Sequence, residues 1–241
     1  MVDMMYVAAA MAFAPTLILM YVVLRNYTYP KVEQPFFSDP TLFGLFAVGL
    51  VAGTVMFAAY TWLDPSNMVY MILFAAIQCF AMVVVLNLKR FHGKSDSVFY
   101  GYGLGLGMGC TMAFGTIYYF SAVILGTEEG AQIDVAGFVW MFVIAVSHLL
   151  MISALGTTIG EGIARKRPME FAVKAIMVNV VYSLVMVTVY NAGSELLLYA
   201  GVFVALAVAA VYFYLTLQVR LSRVVKDVLK MEGKTRKDVP R

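Results

Sequence analysis

The run Gly101-Tyr102-Gly103-Leu104-Gly105-Leu106-Gly107-Met108-Gly109 places glycine at every second position. Glycine repeats of this kind occur in phosphate-binding loops, but such a loop needs a preceding strand and a helix N-terminus that faces water. Here no Asp, Glu, Lys or Arg occurs between Ser97 and Thr127. The stretch therefore reads as a helix in an apolar medium. On a helix, Gly101, Gly105 and Gly109 share one face, and Gly103 and Gly107 a neighbouring one. Small residues at every fourth position let helix backbones approach closely. This run predicts a tightly packed, central membrane helix.

The rest of the chain agrees with that medium. Of 241 residues, 62% are hydrophobic and 13% charged, whereas soluble domains are nearer half apolar and a quarter charged. Basic residues cluster in short gaps between apolar runs and at the C-terminal end, a pattern that argues against nucleic acid as a partner. The first apolar run has no basic n-region and no small-residue cleavage site, so it reads as a span and not a secretory leader. Cys79 and Cys110 both lie inside apolar segments, which excludes a disulfide framework or a four-cysteine metal site.

A membrane-crossing helix takes about 20 mostly apolar residues. Seven stretches qualify: 4–24, 41–62, 68–88, 98–125, 135–160, 169–190 and 195–219. Three prolines between Asn26 and Pro40, the turn Leu63-Asp64-Pro65-Ser66-Asn67, and Asn191-Ala192-Gly193-Ser194 fall where helices should stop. The first gap carries Arg25 and Lys31, the third Lys89, Arg90 and Lys94, and the fifth Arg165, Lys166 and Arg167. The second, fourth and sixth carry acids (Asp64; Glu128, Glu129 and Asp134; Glu195) and no base. This alternation predicts an all-α integral membrane protein of seven spans, N-terminus outside and C-terminus in the cytoplasm. Residues 1–219 form the transmembrane domain and 220–241 a basic cytoplasmic tail, whose helical pattern fits either a position near anionic headgroups or a solvated helix. The expected location is the plasma membrane of a prokaryotic cell, with the lipid bilayer as surroundings.

Polar residues inside spans are the remaining signal. Gln78, His148 and Asn179 lie near the middle of the third, fifth and sixth spans, with Ser183 one turn from Asn179 and Ser147 beside His148. Unpaired polar groups in lipid are costly, so these residues should face one another or a water-filled cavity. Two readings stand: interhelical hydrogen bonds serving packing, or a binding site at the midplane. No mid-span carboxylate is present, and His92 and His148 are the only histidines, with His92 in a loop. A bis-histidine haem or a zinc hydrolase site is thereby unsupported. Lys174 lies near a span end, so a retinal-type lysine is also unsupported. No metal or cofactor is expected.

Several stretches resemble the PrsW family of intramembrane proteases, akin to the CAAX-prenyl protease superfamily. They are Ala14-Pro15-Thr16-Leu17-Ile18-Leu19-Met20-Tyr21 with Tyr29-Pro30 and Gln34-Pro35, then Ser95-Asp96 through Tyr100-Gly101 to Gly105 and Gly107, then Ser147-His148 to Gly156. The resemblance covers roughly residues 14–190 and implies a helical protease scaffold. It also implies a loss: the family's paired glutamates fall on Gln78 and Cys79, and its following lysine on Met82. Its Glu-Asn falls on Met112 and Ala113, or Phe114 and Gly115 in a slipped register, and its late His and Asn on Asn179 and Ser183. Only His148 remains of the expected polar set. The expectation is a catalytically inactive PrsW-like protein, a pseudoprotease that binds a membrane-protein partner or its own copies as a structural or regulatory subunit. The alternatives are a protein that binds or transports a small solute or lipid at the midplane, and a residual enzyme of unrecognised chemistry.

Overall fold

A computed structural model describes residues 4–126, 133–234, 236 and 238–240. Thr127, Glu128 and Glu129 of the fourth gap lie outside the described residues, as do Lys237 and Arg241 of the tail. The described residues form helices and no strand. In order these are α1 (Met4–Leu24), α2 (Asp39–Trp62), α3 (Met68–Leu86), α4 (Asp96–Gly126), α5 (Val135–Ala164), α6 (Pro168–Tyr190), α7 (Glu195–Phe213) and α8 (Leu221–Met231). Helix starts follow local chemistry. The Asn67 side chain accepts from the Val69 and Tyr70 amides, Asp134 from Gly137, and Ser194 from Leu197. Proline occupies the first turns of α2 and α6, where its missing N–H costs nothing.

Among the described residues, six helices are long and apolar enough to cross a membrane: α1, α2, α3, α5, α6 and the continuous 36-residue rod Leu196–Met231. That rod joins α7 to α8 through a π-helical stretch, Tyr214–Arg220. The expected boundary at 219/220 thus falls within a helix and not at a linker. α4 is the longest helix at 31 residues; it is not one of the six, yet it carries no Asp, Glu, Lys or Arg after Asp96. It is deeply enclosed, for every residue from 97 to 110 is buried.

α4 lies between α5 and α2, its two most extensive neighbours. Its glycines make both contacts. A Cβ on Gly105 would sit 2.5 Å from the Ile152 carbonyl oxygen of α5, and one on Gly101 would overlap the Gly156 carbonyl. On the other side, Gly103 approaches Leu42 and Gly107 approaches the Phe46 carbonyl of α2. Gly109 is less tight, its nearest neighbour being the Leu149 Cα at 3.2 Å. The partner helices return the same feature: Gly156 and Gly160 of α5 meet Gly101 and Ser97, while Gly49 and Gly53 of α2 meet Leu104 and Met108. Two glycine-lined seams therefore clamp one helix between two others, so that dispersion and close backbone contact supply the cohesion that water would otherwise drive.

The connections gather at two ends. At one, the Gly93 amide donates to the Ile163 carbonyl at 3.2 Å, Tyr27 Oη lies 3.1 Å from Ser222 Oγ, and Arg236 reaches the Gln34 carbonyl. These contacts bring the 25–38, 87–95 and 165–167 segments together with the C-terminal residues. At the other end, Asn191 Nδ2 donates to the Ser66 carbonyl at 3.0 Å, joining the second and sixth gaps. α8 is strongly amphipathic, and its apolar side (Leu221, Val224, Val225, Val228, Leu229) is buried at the first end. The Ser95 amide donates to Glu232 Oε1, and Arg165 Nη2 to Asp227 Oδ2 at 3.2 Å. Arg236 stacks over the Phe36 ring at 3.9 Å. The described residues after 219 are docked on the bundle.

Candidate functional site

α3, α5 and α6 carry the mid-span polar residues, and their side chains meet. Asn179 Nδ2 donates to Gln78 Oε1 at 2.9 Å and to the Ala75 carbonyl at 3.0 Å. A carbonyl only accepts, so the nitrogen of Asn179 must face Ala75, and Gln78 must in turn present its oxygen. Cys79 Sγ lies 3.8 Å from the same nitrogen. His148 Nδ1 donates to the Ile144 carbonyl at 3.1 Å, one turn back on its own helix, and lies 3.3 Å from Tyr182 Oη. With Nδ1 carrying the proton, Tyr182 Oη accepts from it and is free to donate to Ser147 Oγ at 2.9 Å. Nε2 is then the unprotonated nitrogen and acts as an acceptor.

Gln78, His148, Asn179 and Ser183 all line one small cavity, together with Tyr60, Tyr182 and five apolar side chains. Its volume is about 20 Å³. A water needs on the order of 10–15 Å³ on that measure, so the space accepts about one water and nothing larger. All four polar residues are buried, none more than 8% exposed. The layer can hold a water between a neutral imidazole, two amides and a hydroxyl. It offers no carboxylate, and no group of three His, Cys, Asp or Glu side chains able to hold a metal occurs among the described residues.

Sequence reading missed the tyrosines. Tyr182 ties α6 to Ser147 and His148 of α5, and Tyr60 Oη donates to Tyr190 Oη at 2.6 Å, joining α2 to α6. Tyr182 falls three residues after Asn179 and beside Ser183, on the face already marked as polar. That spacing was the available signal, and counting tyrosine as apolar hides it. Glu161 was also missed. It lies within α5 near the basic end, 5% exposed, with its carboxylate 2.8 Å from Arg165 Nε and 3.8 Å from Arg220 Nη2. Gly101, Gly105 and Gly109 do not line the polar cavity; they lie in the α4–α5 seam.

The hydrogen bonds of this layer should contribute little stability. Double-mutant cycles in membrane proteins average about 0.6 kcal/mol per interhelical hydrogen bond. Asn179→Leu, which removes bonds to both Gln78 and Ala75, is expected to cost about 1 kcal/mol or slightly more. Thermal unfolding in detergent reads this directly, and loss of all folded protein would contradict it.

Comparison of the chain with family models, with curated proteins and with solved structures finds no match, so the likeness to PrsW proteases rests on the residues of this sequence alone.

Proposed function

We propose that the chain is a non-hydrolytic, PrsW-like membrane protein that crosses the bilayer seven times, N-terminus outside and C-terminus in the cytoplasm, and serves as a partner-binding subunit through its outer helix faces. The observation that carries this reading is the closure of the midplane layer. At the positions where the protease resemblance expects a glutamate and a histidine, Gln78 and Asn179 bond to each other, and the space beside them accepts about one water. A substrate or solute has no room there. The helices with the least covered apolar surface, α2 and the α7–α8 rod, are the faces on offer to a second membrane protein or a second copy.

The orientation is supported by the meeting of the basic connections at one end and of the base-free second and sixth connections at the other. Ser95 is 6% exposed and so a poor labelling position, whereas its neighbour Lys94 is exposed. Cysteine at Lys94 should be labelled from the cytoplasmic side only, and cysteine at Ser66 from the outer side only. Labelling of both from one side overturns the orientation. Buried Cys79 and Cys110 keep the background low.

Purified protein should contain no stoichiometric zinc and should leave a transmembrane test peptide uncut. Stoichiometric metal lost on His148→Ala, or cleavage lost on the same change, would instead establish a working enzyme. Cross-linking in native membranes from cysteines placed on α2 and α7 should trap one recurrent protein adduct or a dimer. A chain that stays monomeric at every position defeats the subunit reading.

A further inference from the structure

α1, the 25–38 segment and the start of α2 enclose a groove of about 540 Å³ at the basic end. That lies within the 300–1,000 Å³ range usual for small-ligand sites. Its two halves differ in chemistry. The inner half is walled by Leu17, Met20, Leu42 and Phe43, and the outer half carries Arg25 and Lys31. Leu17 lies seven residues before Leu24 on a continuous helix, about 10 Å of rise, so the groove runs from the connecting segment down along the apolar flank of α1.

The cations are uncommitted. Among the described residues Arg25 has no carboxylate partner, and its guanidinium lies 6.0 Å from the Tyr21 ring centroid. Lys31 Nζ donates to Asn26 Oδ1 at 2.8 Å, a neutral amide. The only acid on the lining, Asp39, is in the first turn of α2, where the helix dipole favours a negative charge. The described C-terminal residues do not line the groove. Arg236 is held over Phe36 and paired with Asp238, and Pro240 borders a different cavity beside Tyr27 and Ser222. A cation pair above an apolar trough, at the level where a membrane helix ends, matches one kind of molecule.

We infer that this groove binds one anionic glycerophospholipid of the surrounding leaflet. Its phosphate sits at the Arg25 and Lys31 end, and the upper part of one acyl chain lies against Leu17, Met20, Leu42 and Phe43. The second chain stays in the bilayer. This binding holds for either orientation of the protein and does not depend on the partner-binding reading.

The test uses the full chain in mild detergent, offered equal amounts of phosphatidylglycerol and phosphatidylcholine with the same acyl chains. Native mass spectrometry then reads the retained lipid. Each basic residue near an anionic headgroup gives roughly a five-fold preference, so two should give about ten-fold after screening at ordinary salt. The Arg25→Ala, Lys31→Ala double variant should retain both lipids equally. Leu17→Trp, which fills the apolar half, should reduce retention of both. Equal retention by the unaltered protein overturns the proposal without recourse to any variant. An undiminished preference in the double variant overturns it too. Displacement of phosphatidylglycerol by millimolar inorganic phosphate or glycerol phosphate would assign the cations to a soluble anion, and the lipid assignment would fall.

Discussion

Gly105→Leu is expected to abolish recovery of folded protein in detergent. The first carbon of any side chain at this position would lie 2.5 Å from the Ile152 carbonyl oxygen and 3.1 Å from the Ser153 Cα. Those atoms belong to backbone, which cannot rotate aside as a flexible side chain does. Overpacking ordinarily costs about 1–3 kcal/mol, and leucine adds three more carbons to a seam already closed at the first. The loss should approach the whole stability of a typical fold, about 5–15 kcal/mol. Even Gly105→Ala should be clearly destabilising. Gly44 of α2 provides the control: a Cβ there meets nothing within 4 Å, and Gly44→Leu should be recovered like the unaltered chain. Size-exclusion profiles of the two variants side by side decide the matter. Equal recovery would mean that the α4–α5 seam is far looser than its geometry.

The second large effect is expected at Glu161. Its carboxylate is buried on α5 and anchors Arg165 and Arg220, while Arg165 also reaches Asp227 of α8. Removing one member of a fully buried ion pair costs about 3–5 kcal/mol, because the other charge is left without its partner. Here Arg165 remains about a quarter exposed and keeps Asp227, which lowers the expected cost of Glu161→Met to about 2–3 kcal/mol. Changing both Glu161 and Arg165 to Met should cost less than changing Glu161 alone, since no buried charge is then stranded. Thermal unfolding of the single and double variants checks both statements, and additive losses would contradict them. Limited proteolysis should also release the residues after 231 sooner in the single variant.

Helix positions were legible in the sequence because runs of about twenty apolar residues admit little else. The two glycine faces of α4 were legible because 3.6-residue periodicity fixes them before any neighbour is known. Their partners were not: Gly49 with Gly53, and Gly156 with Gly160, are ordinary spacings in apolar helices until α4 shows which of them meet. The convergence of Gln78, His148, Asn179 and Ser183 followed from equal depth, but the volume left between them depends on rotamers and on Tyr60 and Tyr182. Glu161 escaped notice because the fifth span was ended at 160, whereas α5 continues to Ala164. The docking of α8 was hidden for a different reason. Its apolar face is plain in the sequence, but the surface that receives it is assembled from connecting segments distant along the chain. Arg25 and Lys31 likewise read as loop charges until α1 and α2 close a groove beneath them.

The enclosure of α4 bears on how the protein is made. A segment rich in glycine and tyrosine gains less free energy from lipid than α2 or α5 does, so its transfer into the bilayer is less strongly driven while it is alone. On the seven-span reading, α2 has already emerged from the ribosome when α4 appears, and it can offer the Gly49 and Gly53 face at once. The opposite face must wait for α5, whose seam glycines, Gly156 and Gly160, are synthesised some fifty residues after Gly105. During that interval α4 is held on one side only, and a chain truncated before Gly156 should depend most on the cell's insertion machinery and be cleared fastest by membrane quality control.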